Sequence, residues 1–156
     1  MAHPFLVGLH AVLGEIAILA FVWIFIEILN PTQERLRRAK IGAALGLIFL
    51  ILSWFVGGFY YVSFYGANVK PVIKEGPQPW AHNVVMEAKE HIFLFLPFLA
   101  AANYFILRSA TVKDIRKIKT VRKLAVLIIL LGFLMALMGY LISTGFRTAL
   151  EVMHLA

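Results

Sequence analysis

Residues 124–146 have the sequence LAVLIILLGFLMALMGYLISTGF, a stretch without a single charged side chain. A helix needs about 20 such residues to cross the hydrocarbon core of a bilayer, so this stretch predicts a transmembrane helix. Three further apolar stretches occupy residues 4–29, 41–65 and 82–107. The third is apolar only from Ile92 onward, and we expect its polar first turns to lie at the depth of the lipid headgroups.

The composition also indicates a protein that is solvated by lipid. Hydrophobic residues make up 62% of the 156 residues, whereas they make up roughly half of a typical soluble domain. The absence of cysteine excludes disulfides, thiolate metal sites, iron–sulfur clusters and covalent haem attachment. We therefore predict one domain, residues 1–156, folded as an all-α integral membrane protein with four transmembrane helices in an up-down bundle.

The basic residues predict the orientation of this bundle. Eleven of the fifteen lysines and arginines lie in two connections, Pro31–Lys40 and Arg108–Lys123. The connection Ala67–Ala81 holds only Lys70 and Lys74. The positive-inside rule places the two basic connections in the cytoplasm, and both termini and Ala67–Ala81 outside a plasma (inner) membrane. The net charge of +7 therefore does not require a nucleic-acid partner.

Two histidines predict a cofactor site. Counting about 20 residues back from the cytoplasmic ends of the first and third helices places His10 and His91 at the same outer depth. In an up-down bundle of four helices, the first and third face each other across the core. Imidazoles on opposite sides of a porphyrin are the ligands of a bis-histidine b-type haem. We therefore expect His10 and His91 to bind one haem between these helices.

The other histidines do not support a second haem. His3 precedes His10 by seven residues and shares its helix face, so His3 and His82 are candidates for a second pair of haem ligands. However, His82 and His91 are nine residues apart, about half a turn out of phase in a regular α-helix. We expect His3 and His82 to be supporting residues near the outer surface, and His154 to lie in solvent.

Carboxylates near the histidines support an alternative site. Glu87 precedes His91 by four residues and shares its helix face, while Glu90 lies on a neighbouring face. His10, Glu87, Glu90 and His91 can together hold a non-haem metal ion such as zinc, iron or copper. Such a site is catalytic if a coordination position stays open, and otherwise serves metal handling.

Glu15 lies about five residues deeper in the first helix than His10. An ionised carboxylate that faces lipid costs about 2.5–3.5 kcal/mol or more, so we expect Glu15 to face the bundle interior. There it can hydrogen-bond to Ser143 or Tyr140 of the fourth helix, or pair with Arg147.

With His10 on the first helix and His91 on the third, the chain resembles small bacterial four-helix membrane proteins of the b-type cytochrome kind. The resemblance covers the architecture and these two residues. The favoured function is electron transfer from a lipid-soluble quinol to a redox partner protein on the outer side, with haem sensing or transfer as a variant. The alternatives are the non-haem metal site and a cofactor-free structural or assembly subunit. All are compatible with an oligomer.

Overall fold

The computed structural model describes the backbone of residues 3–155 and the side chains of residues 5–153, and this part of the chain is all helical. Helix α1 spans His3–Glu27 and α2 spans Gln33–Tyr60. α2 continues through a first π-helical segment, Tyr61–Val69, into α3, Lys70–Glu75. A second π-helical segment, Ala81–Met86, leads into α4, Glu87–Arg108, and α5 spans Ile115–Leu155.

Four continuous helical stretches are long and apolar enough to cross a membrane. In chain order they are span 1, Phe5–Glu27; span 2, Gln33–Glu75; span 3, Ala81–Arg108; and span 4, Ile115–Met153. The prediction of an all-α chain with four membrane-spanning candidates is confirmed.

Both predicted bounds of the second helix are wrong, because it begins at Gln33 rather than at residue 41 and ends later than residue 65. Span 2 does not stop near residue 65 but runs to Glu75, so most of Ala67–Ala81 is helix rather than loop. Pro71 does not break it because it lies in the first turn of α3, where a missing N–H costs no helical bond. The helix ends at Gly76, whose extended backbone suits the residue before Pro77.

The predicted bounds of the fourth helix are also wrong, because it begins at Ile115 and runs to Leu155. The carboxylate of Asp114 accepts hydrogen bonds of 2.8 Å from the backbone N–H and from the hydroxyl of Thr111. These two donors hold the pKa of Asp114 below its usual range. The carbonyl of Asp114 then accepts the N–H of Ile118 at 3.0 Å, which starts the helix.

The spans form a four-cornered bundle. α1 packs against α2 and α5, and α4 packs against the same two helices. Spans 1 and 3 therefore lie diagonally across the bundle, as the sequence predicted. We call the end with the connections 28–32 and 109–114 the basic end, and the opposite end, where the described chain begins and finishes, the distal end.

Close packing fills the basic half of the bundle. Residues three and four apart on α1, namely Ala17, Phe21, Ile24 and Ile28, are almost fully buried against the other helices. This face of α1 packs against the GxxxG motif of α2, which is formed by Gly42 and Gly46. A Cβ on Gly46 would lie 2.9 Å from the ring of Phe21. A second core closes the distal end with residues Tyr65, Val69, Ile73, Ala81 and Ile142.

Glu27 ties the helices together at the basic end, although the sequence analysis did not single it out. Its carboxylate accepts from Nε of Arg35 at 3.1 Å and from Nε of Arg38 at 2.7 Å, which joins α1 to α2. Arg122 of α5 donates to the carbonyl of Ile28 at 2.8 Å. Some of the basic residues of this end therefore have structural partners.

Substitution of Gly46 tests the packing of spans 1 and 2. Gly46→Ala should lower the free energy of unfolding by about 1–3 kcal/mol, because the new methyl group has no room beside the buried ring of Phe21. In the control Gly66→Ala the Cβ meets only the carbonyl oxygen of Tyr61, at 3.9 Å. That variant should change stability by less than about 0.5 kcal/mol. Equilibrium unfolding in mixed micelles measures both, and equal losses would contradict the packing described.

Candidate functional site

A cavity of about 1340 Å³ lies in the distal half of the bundle, and all four spans line it. The cavity is partly open at the surface of the bundle, and an opening of this size among the helices is the candidate ligand site. Its walls are mostly aliphatic and aromatic. The polar side chains that line it are His10, Tyr60, Tyr61, Tyr65, Lys89, Glu90, Ser143 and Arg147.

The imidazole of His10 is held in one orientation. Its Nδ1 lies 2.9 Å from the backbone carbonyl oxygen of Ser53, and a carbonyl can only accept, so Nδ1 carries the proton. The Ser53 hydroxyl donates to the carbonyl of His10 at 2.9 Å. The second ring nitrogen, Nε2, is thereby left as a free electron-pair donor. Histidines that bind a metal are oriented through the other nitrogen in this way.

Neighbouring residues fix the position of the ring as well. A Cβ on Gly57 would lie 2.7 Å from Nδ1 of His10, so the imidazole rests directly against the backbone of span 2. The ring of Phe93 on span 3 meets it edge-on, with centroids 5.5 Å apart. His10 is therefore held between spans 1, 2 and 3.

The structure does not bring His91 to the cavity that His10 lines. The His91 side chain is exposed, and its Nδ1 lies 2.6 Å from the carbonyl oxygen of Glu87 on the same helix. The regular turns of α4 place Glu90 and Phe93 at the cavity and leave His91 on the outer face. The expected pairing of His10 with His91 is therefore not present in this arrangement.

His82 is buried at the distal end, where span 3 begins in a π-helical segment. Its Nδ1 lies 3.0 Å from the hydroxyl of Tyr65, and its Nε2 lies 3.7 Å from Oε1 of Glu87. Tyr65 lines the cavity, whereas the side chain of Glu87 is 48% exposed. These three residues form a polar contact chain from the cavity to the surface.

Two cationic side chains line the cavity without a counterion. Lys89 of span 3 reaches span 4, where its Nζ lies 3.0 Å from the position that a Cβ on Gly139 would take. Arg147 of span 4 lines the same cavity. Neither forms a salt bridge among the side chains of residues 5–153. Arg147 is exposed, whereas Lys89 is partly buried. Because an uncompensated charge in apolar surroundings is costly, Lys89 favours a ligand with an anionic group.

Glu90 also belongs to the cavity. Its Oε1 is buried and has no hydrogen-bond partner, while the hydroxyl of Tyr61 faces its carboxylate from span 2. An acceptor that is buried in this way costs about 1–3 kcal/mol or more until a donor reaches it.

The structure does not bring together the four residues of the alternative non-haem metal site. His10 and Glu90 line the cavity, but Glu87 and His91 are exposed on other faces of α4. No three His, Asp or Glu side chains of the described residues lie close enough together to hold a metal ion.

The expectation that Glu15 faces the bundle interior is wrong. Its side chain is exposed, because the buried seam of α1 passes through Gly14 and Ala17 on either side of it. Tyr140 is exposed too, and Arg147 lines the cavity rather than pairing with Glu15. The side chains of His3 and His154 lie outside the described residues.

No protein-family model, curated protein or solved structure matches this chain.

Gly57→Ala tests the placement of His10. The added methyl group would overlap the imidazole, so the histidine must move and the free energy of unfolding should fall by about 1–3 kcal/mol. Gly58→Ala is the matched control, since no atom lies within 4 Å of its Cβ position. The ¹⁵N resonances of the His10 ring should shift in the first variant and not in the second. An unshifted imidazole in Gly57→Ala would rule out the described contact.

Proposed function

We propose that the cavity binds one b-type haem, whose iron would be held by Nε2 of His10. The observation that carries this proposal is the free Nε2 of His10 in a cavity of about 1340 Å³, with Nδ1 tied to Ser53. A histidine held through one nitrogen beside empty apolar space is the arrangement that a buried haem requires.

The remaining cavity groups support the same ligand. A b-type haem is a flat, apolar macrocycle that carries two carboxylates. The aromatic and aliphatic walls suit the macrocycle, and Lys89 and Arg147 are two unpaired cations suited to the two carboxylates. Ionic contacts between the haem carboxylates and these residues would neutralise the charges of both partners.

A haem also explains why one histidine is enough. A bare zinc, iron or copper ion needs three or four protein ligands. A porphyrin supplies four nitrogens of its own, so the protein adds only one or two axial ligands. His10 lines the cavity, but the described residues contain no group of three metal-binding side chains. This combination favours haem over the non-haem alternative.

The function we propose is electron transfer within the membrane. The haem, when bound, supplies one-electron redox chemistry. The chain holds it in an apolar cavity that limits access of water, and orients the ligating imidazole through Ser53. With the basic end in the cytoplasm, the cavity lies in the outer half of the bilayer, within reach of both a quinol in the lipid and an acceptor protein outside.

Absorption spectroscopy of detergent-purified protein tests the haem. We expect a Soret band and, after reduction, defined α and β bands. His10→Ala should abolish or convert this spectrum, because no other described histidine lines the cavity. His91→Ala is the matched control and should leave the spectrum intact, since its ring is exposed.

The outcomes separate the interpretations of the site. Loss of the spectrum in both variants would instead establish the bis-histidine pairing that the sequence predicted. A colourless wild-type protein that retains no metal would contradict the haem and leave the structural-subunit interpretation.

Cysteine labelling tests the proposed orientation. A single cysteine at Lys117, at the basic end, should be unreactive towards a membrane-impermeant reagent in intact cells. A cysteine at Glu151, near the distal end of span 4, should react. The opposite pattern would invert the orientation and place the cavity in the cytoplasmic half.

A further inference from the structure

We infer that the cavity holds a second occupant, a lipid-soluble hydroquinone, and that Glu90 accepts its protons. The inference rests on the proposed function, because the bound haem is the electron acceptor that it requires. Its starting point is the size of the cavity. At about 1340 Å³ it exceeds the roughly 300–1,000 Å³ that is usual for a single small-molecule site.

The polar groups of the cavity indicate what the second occupant carries. Oε1 of Glu90 is a buried acceptor without a donor. Neither haem carboxylates nor lipid chains offer a hydroxyl group at that point, whereas a hydroquinone carries two on an apolar ring. A hydroxyl that donates to Oε1 would satisfy the carboxylate. Tyr61 faces the same carboxylate and supplies an aromatic surface beside it.

Polar side chains continue from Glu90 to the distal surface. The ring of Tyr61 stacks on Tyr65 with centroids 5.3 Å apart and an interplanar angle of 20°. The Tyr65 hydroxyl lies 3.0 Å from Nδ1 of His82, and Nε2 of His82 lies 3.7 Å from Glu87, which is exposed. Polar contacts of 3.0 and 3.7 Å therefore join Tyr65, His82 and Glu87 at the surface end of this route, while ring stacking alone joins Tyr61 to Tyr65.

Oxidation of the hydroquinone balances with these groups. Its two O–H bonds break, and the product is the quinone, two protons and two electrons. A haem held by His10 would accept the two electrons one at a time, provided that an outer-side acceptor takes up the first before the second is transferred. Glu90 would accept the two protons one at a time and release the first to the distal side before it accepts the second.

The experiment uses the full-length protein in lipid nanodiscs and a short-chain benzoquinol as the probe. Stopped-flow absorption follows haem reduction by the quinol in wild type, Glu90→Gln and Glu90→Asp. Loss of a proton acceptor typically costs about 10²–10⁴-fold in rate, so Glu90→Gln should be at least 100-fold slower. Glu90→Asp should recover part of that loss. Reduction by dithionite should be equally fast in all three.

Glu151→Gln is the matched control, because this glutamate of span 4 is exposed and does not line the cavity. It should be reduced by the quinol at the wild-type rate. A wild-type rate of reduction by the quinol in Glu90→Gln would overturn the proposal. Slow reduction of Glu90→Gln by both the quinol and dithionite would also overturn it, because that result would indicate a damaged haem site.

A binding titration separates this proposal from the haem itself. Under anaerobic conditions, and with any haem kept reduced, the hydroquinone form of the probe should quench the fluorescence of Trp54, which lines the cavity. Glu90→Gln should weaken its affinity at least tenfold, because the hydroxyl group then loses the charged acceptor. If the protein proves to contain no haem, the proposed function fails, whereas saturable, Glu90-dependent quenching still supports the quinone site. The absence of saturable quenching in the wild-type protein would overturn the proposed quinone site.

Discussion

Lipid offers no hydrogen-bond partner to a peptide group, so each span must satisfy its own backbone as a helix and the side chains must hold the helices together. Near the basic end this is achieved by close packing, as Phe21 shows against Gly46, and by the carboxylate of Glu27. Near the distal end the core around Tyr65 closes the bundle. The cavity lies between these two regions, where the helices remain apart.

The sequence was sufficient for the number of helices and their diagonal arrangement, because both follow from four apolar stretches and short connections. It was insufficient for the ends of the helices. Hydropathy marks where lipid ends, but a helix continues until its backbone is interrupted. Span 2 therefore runs past residue 65 to the Gly76–Pro77 pair, and span 4 starts at the hydrogen bonds of Asp114.

His10, which the sequence predicted as a cofactor ligand, lines the cavity, whereas His91, which was assigned by depth alone, does not. Depth does not determine the face of a helix, and the π-helical start of span 3 shifts its faces from those of a regular helix. The sequence did not distinguish Lys89 from a solvated residue, because its neighbours Glu87 and Glu90 are charged as well. Ser53 carried no recognisable signal, since its role depends on a backbone carbonyl that meets His10 across two helices.

Glu15 has a consequence for how the chain enters the membrane. It lies on the outward face of span 1, about 18 Å from the end at Glu27, which corresponds to the middle of a bilayer that this span would cross. An acidic residue at that depth adds about 2.5–3.5 kcal/mol to the free energy of insertion, and each Leu, Ile, Phe or Val subtracts about 0.3–0.6. The fourteen such residues of span 1 outweigh the carboxylate. For a helix that crosses a membrane, the apolar residues of span 1 are therefore a requirement of insertion, because a less apolar segment would not carry this carboxylate into lipid.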